Sequence, residues 1–237
     1  MINFDPLLKY CDKIILYIVK ENFMNNIDPK KFAGYTLIIG PIIALFSFFI
    51  QPGGVLAIGG TVDPTISSDV EKLLIEYSEL AIISSITVVI GLVTLLSGLM
   101  YYSQSMEGSE GYAVSRTGIP FIFIAISGWC LASAIGIGVA SGTIDQEIGP
   151  KFTFSINIIS TILFGFGGFF VTWAATMKDE YNKRLSVIAT IASIIVFFIE
   201  FIVPFAPDQT TLVNTVTGTC FMLITIWAIS VGRSMIK

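Results

Sequence analysis

Read from its first residue, the chain alternates long apolar runs with short polar interruptions. Six of the runs can each supply about the 20 residues that an α-helix needs to cross a bilayer. They are Ala33 to Ile50, Leu80 to Tyr101, Ile119 to Val139, Phe154 to Ala175, Leu185 to Phe205, and Leu212 to Val231. None shows the period-two alternation of a half-buried strand, so the pattern predicts an all-α, polytopic helical bundle of six spans.

Two stretches outside the spans carry their own pattern. Leu7, Leu8, Cys11, Ile14, Ile15 and Ile18 recur at helical spacing while Lys9, Asp12, Lys13 and Lys20 largely point elsewhere. This predicts an N-terminal amphipathic helix lying along the membrane surface or against the bundle. Between the first two spans, Pro52, Gly53 and Gly54 end the first helix, and Ser68 with Glu71 forms a candidate capping box for a short helix reaching Tyr77. The loop from Gln51 to Ser78 is the largest exposed segment and the natural place for a partner or a lid. The expected organisation is an N-terminal segment (1–32), a six-span domain (33–231) and a short tail (232–237).

Composition sharpens this reading. Charged residues make up 13% of the chain, about half the share of a soluble domain, too few to keep a compact globule wet. Orientation follows from where the charges sit. Of the 13 lysines and arginines, all but Lys72 and Lys151 fall in segments that share one side if the N-terminus is inside. The positive-inside rule then places both termini in the cytoplasm of a cell-membrane, multi-pass protein. Tyr35, Tyr101, Tyr102, Trp173 and Trp227 lie near the inner ends, as interfacial aromatics do, whereas Trp129 lies mid-span and reads as packing. The opening MINFDPLLKY lacks the basic stretch, short apolar run and small-residue cleavage site of a signal peptide and is read as retained.

The same inventory excludes chemistry. With no histidine in the chain, haem held by histidine, histidine metal centres and histidine-activated nucleophiles are out. Cys11, Cys130 and Cys220 lie far apart in apolar surroundings and read as small hydrophobes. A net charge of -4 without a basic tract argues against nucleic acid. No phosphate-binding loop or dinucleotide motif is present, and no cofactor or structural metal is expected. Asp63, Asp179 and Glu180 read as loop charges; Asp145 with Glu147 is a weak divalent-ion pattern. An enzyme would have to be built from Glu, Asp, Asn, Ser and Tyr alone, so catalysis has little support.

Small residues recur at three-four spacing on several spans. Thr36, Gly40, Ala44 and Ser47 lie on the first, Ser84, Thr87, Gly91, Thr94 and Gly98 on the second, and Gly128, Ala132, Gly136 and Ala140 on the third. Thr161, Gly165, Gly168 and Thr172 follow on the fourth, and Ser186, Ala189 and Ser193 on the fifth. Such stripes let helix backbones approach closely. Gly91, Gly98, Gly128, Gly136, Gly165 and Gly168 are the candidate packing positions.

One residue breaks the apolar pattern. Glu200 is the only formally charged side chain well inside a span. A carboxylate in hydrocarbon costs several kcal/mol, so it must face the bundle, reach the interface, or hold a proton. Pro204, four residues on, cannot donate to the Glu200 carbonyl. Asn157 and Asn214 fall at a comparable depth on the fourth and sixth spans, with Thr217, Ser155 and Thr211 as further oxygens. Glu200, Asn157, Asn214 and Thr217 are therefore the candidate site for a proton, small cation or polar ligand. Two functions follow. A noncatalytic subunit or scaffold, partnered by lipid and by other membrane subunits or copies of itself, is the simpler; a small transporter or channel using Glu200 is the alternative.

Overall fold

The computed structural model describes residues 28–54, 56, 58–60, 66–145 and 148–237. The expected N-terminal surface helix, together with Cys11, Asp63 and Glu147, lies outside the described residues. Within them, 82% of the chain is helical and no strand occurs. The helices are α1 (Pro29–Ile50), α2 (Ser67–Glu76), α3 (Ser78–Gln104), α4 (Gly111–Ala140), α5 (Ile148–Ala175), α6 (Lys183–Glu200) and α7 (Thr210–Ile236), the last preceded by a 3-10 turn, Pro207–Gln209.

Local chemistry explains most of the ends. Asp28 accepts from the Lys30 amide at 2.9 Å and Pro29 occupies the first helical position, a favourable start for α1. Asn182 caps α6 by accepting from the Leu185 amide at 3.2 Å. Gly108 and Gly142 turn the chain between α3 and α4 and beyond α4 with φ of 83° and 73°, a region that favours glycine. The anticipated capping box at α2 is not formed. Ile66 precedes that helix without any side-chain cap, and Ser68 turns instead to the neighbouring Asp69 carboxylate at 3.5 Å. Only Tyr77 (φ -111°, ψ 39°) separates α2 from α3, so α2 is a short arm bent off the top of a long helix.

Several helices outrun the apolar stretches that announced them. α4 begins at Gly111 and α5 at Ile148, ahead of the expected Ile119 and Phe154. Hydropathy marks where a helix is immersed, whereas backbone hydrogen bonding carries it on into polar surroundings. The opposite happens in α6, which stops at Glu200 rather than Phe205. α1, α3, α4, α5 and the run Pro207–Ile236 are long and apolar enough to cross a membrane, and they mark the chain as a membrane protein.

The six long helices close into a ring in chain order: α1 on α3, α3 on α4, α4 on α5, α5 on α6, α6 on α7, and α7 back on α1. α2 leans across one end of this ring against α3, α4 and α5, with Leu73 buried beneath it. Three seams are set by glycine facing glycine. A Cβ on Gly40 would meet the Gly91 carbonyl at 2.9 Å across α1 and α3, and one on Gly34 would meet the Gly232 carbonyl at 2.7 Å across α1 and α7. Gly118 and Gly167 do the same between α4 and α5. With no side chain in the way, backbones meet and the bundle packs on van der Waals contact, the main attraction available among apolar helices in lipid.

One end of the ring is tied by charge. Lys30, at the start of α1, reaches Glu180 in the α5–α6 turn at 2.6 Å. Glu180 also pairs with Lys178 at 3.1 Å, and Lys178 donates to the Ser105 carbonyl at 3.1 Å. This basic end is plugged by aromatic rings. Tyr102, wholly buried, lies 5.4 Å from Tyr181 and 5.9 Å from Trp227 between ring centroids, and its hydroxyl donates to the Val171 carbonyl at 3.3 Å. Trp227 donates in turn to Ser186 Oγ at 3.2 Å, so α3, α5, α6, α7 and the α5–α6 turn share one core.

Candidate functional site

Glu200 is the last residue of α6, at the end of the ring opposite the Lys30, Glu180 and Lys178 strap. It continues the buried face of that helix formed by Ala189, Ala192, Ser193 and Val196, and is itself only 5% exposed. Two features hold it there. Pro204 supplies no amide to extend the helix, and the chain leaves α6 in tight turns, the Ile202 amide donating to Ile199 O at 3.0 Å and the Ala206 amide to Ile202 O at 2.8 Å. Those turns lay Val203 inward and leave Phe201, Ile202 and Phe205 exposed, an apolar cover between the carboxylate and the polar Asp208 and Gln209.

Across from it on α7, the buried Thr217 hydroxyl donates to Glu200 Oε1 at 2.8 Å. No cation reaches the carboxylate among the described residues, and the second oxygen has no protein donor. The expected four-residue shell is therefore reduced to a pair. Asn214 is exposed on α7 and Asn157 is half-buried on α5, and neither bonds to Glu200. Ser155 is exposed and bonds to its own helix at Lys151 O (3.0 Å), while Thr211 is exposed on α7. Equal depth on neighbouring helices does not impose equal azimuth, and azimuth decides whether two side chains touch.

Just below the pair lies an aromatic cluster whose role was not evident in the sequence. Trp129 of α4, Phe164 of α5 and Phe221 of α7 meet with centroid separations of 5.2, 6.0 and 5.5 Å. Phe221 follows Thr217 by one helical turn, about 6 Å along α7 toward the basic end. A spacing of seven residues links this cluster to the remaining candidates. Asn157 precedes Phe164 by two turns, Asn214 precedes Phe221 by two turns, and Gly136 follows Trp129 by two turns, all toward the end where Glu200 sits. That common offset was the available signal, hidden because no single helix displays it.

The candidate packing glycines divide. A Cβ at Gly91, Gly98, Gly128 or Gly165 would strike a neighbouring helix, and one at Gly168 would sit 3.0 Å from Ser193 Oγ. At Gly136 it would meet nothing within 4 Å among the described residues, which offer no close approach to explain that glycine. Gly218, on α7 between Asn214 and Phe221, has the same open surroundings.

Among the described residues no group of three or more metal-ligating side chains occurs. Asp145 Oδ1 accepts from the Ile148 amide at 2.9 Å at the start of α5. Cys130 and Cys220 are free thiols. Compared with known proteins, the chain matches no family model, no curated protein and no solved structure.

Proposed function

We propose that this chain is a noncatalytic six-span protein of the cell membrane, serving as a subunit or scaffold of a membrane complex, with α6 as the additional span and both termini cytoplasmic. α6 has 18 residues, about 27 Å of helix, and the apolar turn from Phe201 to Phe205 adds the remaining depth. Alternation of the ring then brings the starts of α1, α4 and α6 and the end of α7 to the basic end, the side that the positive-inside rule assigns to the cytoplasm. The observation that carries the scaffold reading is the locked basic end: the Lys30, Glu180 and Lys178 strap over the Tyr102, Tyr181 and Trp227 core joins helices from both halves of the chain. Such a bundle suits a rigid platform. Purification from native membranes in mild detergent tests this reading; other subunits at fixed stoichiometry are expected, and a consistently solitary chain would contradict it.

A second reading, a small transporter that binds a proton or small cation at Glu200, is favoured by the buried Glu200 and Thr217 pair, which leaves one carboxylate oxygen without a donor among the described residues. Glu200→Gln in reconstituted vesicles should abolish ion-dependent flux while leaving the fold intact. Unchanged flux would remove Glu200 from that role.

A further inference from the structure

We propose that the half of the ring remote from the Lys30, Glu180 and Lys178 strap is a binding site for an organic cation, its charge held by Glu200 and its apolar body by Trp129, Phe164 and Phe221. The inference deepens the second reading above and rests on it. Three observations meet. First, a carboxylate that is 5% exposed has one hydroxyl donor and no cation among the described residues. A carboxyl buried with so little compensation must hold a proton or meet a positive charge. Second, an aromatic cluster lies toward the basic end from the residue that bonds to it, Phe221 following Thr217 by one turn of α7. Three rings stand within 6.0 Å of one another one turn below Thr217. Ring faces attract cations, most strongly where water is excluded, and they also bury the carbon body of an amine, which a bare metal ion or proton does not possess.

Third, two glycines above the rings face open space among the described residues, although Gly138 and Gly149 at the same end are closely packed. Gly118 on α4 and Gly232 on α7 each press against a neighbouring backbone at the basic end, whereas Gly136 and Gly218 on the same two helices could each take a Cβ with no heavy atom within 4 Å. Asn157 and Asn214 stand at this level with side-chain amides that make no hydrogen bond among the described residues. Their carbonyl oxygens can accept from a primary or secondary amine; the rings and the carboxylate serve a quaternary one equally. The ligand class is thus a monocation with an apolar or aromatic body rather than an inorganic ion.

The test is equilibrium binding of tetraphenylphosphonium to the purified full chain in nanodiscs, with uncharged triphenylphosphine oxide as the control. Saturable binding of the cation alone is expected, weakened about tenfold or more in Glu200→Gln and by a smaller factor in Trp129→Leu. Fluorescence of Trp129 should respond, and the response should vanish in Trp129→Phe, a variant expected to keep the fold. Equal binding of the neutral phosphine oxide would overturn the assignment in favour of a greasy lipid slot. If Glu200→Gln abolishes proton- or sodium-dependent flux but the wild-type chain binds no organic cation, the ligand class proposed here fails while the transport reading stands. Loss of neither flux nor binding in Glu200→Gln would sink both.

Discussion

Thr217 and Glu200 lie 17 residues apart on two antiparallel helices, yet the threonine hydroxyl rests 2.8 Å from an oxygen of this buried carboxylate. The bond fixes α7 against the end of α6, at the point where Pro204 has already turned the chain out of its helix. It also makes the energetic sign of Glu200 testable. Removing the donor by Thr217→Val strands a buried carboxylate and should cost about 1–3 kcal/mol in thermal or denaturant unfolding. Glu200→Gln keeps an acceptor for Thr217 and removes the buried charge, so its stability should equal or exceed that of the wild type. A large loss in Glu200→Gln, comparable with that of Thr217→Val, would mean that the charge itself holds the helices.

The glycines give a paired prediction because identical substitutions meet different surroundings. Gly40→Ala and Gly118→Ala place a methyl against a backbone across a helix seam and should each destabilise the bundle by about 1–3 kcal/mol. Gly136→Ala and Gly218→Ala meet open space and should leave stability unchanged or raise it by up to about 1 kcal/mol through helix propensity. Melting temperatures of the four variants in one detergent decide the matter.

How much of this could be read beforehand depends on the residue. The six apolar runs announced the six long helices, because immersion in lipid leaves a composition that can be counted. The places of Glu200, Asn157 and Asn214 along their helices could be read from the same runs. Rotation about each helix axis was not: Asn214 and Thr217 are both polar and one turn apart, yet one is exposed and the other bonds to Glu200. Closure of the ring, which decides that Trp129 meets Phe221, is a tertiary fact with no local trace. Ser68 and Glu71 show the converse, a local motif overridden by the neighbouring Asp69 and by continuity with α3.

The strap at the basic end carries a pH prediction. Hydrogen bonding from Lys30, opposed by partial desolvation and reinforced by Lys178, holds the Glu180 carboxyl below its ordinary value of 4.5. A depressed carboxylate contributes stability that is present above its unfolded pKa and disappears as pH falls through the folded one. Wild type should therefore unfold at a higher temperature than Glu180→Gln at neutral pH, and the two should converge as the pH falls from 4.5 through the lower folded value. The difference should be small, because all three side chains are partly exposed and screened by water.

Tyr102 separates packing from hydrogen bonding. Tyr102→Phe loses only a long 3.3 Å bond to the Val171 carbonyl and should cost about 1 kcal/mol or less, whereas Tyr102→Ala empties the wholly buried space between Tyr181 and Trp227 and should cost about 3–5 kcal/mol. Equal losses would show that the hydroxyl, and not the ring, organises the basic end.

The proposed six-span arrangement adds α6 to the five helices long and apolar enough to cross a membrane, and α6 is the helix on which it turns. Single cysteines at Asn182 and at Asp208, introduced after Cys11, Cys130 and Cys220 are replaced by serine, flank that helix on its two sides. On intact cells a membrane-impermeant maleimide should label Asp208→Cys directly and Asn182→Cys only after permeabilisation. Labelling of both positions from the same side would show that α6 does not cross the membrane and would contradict the account.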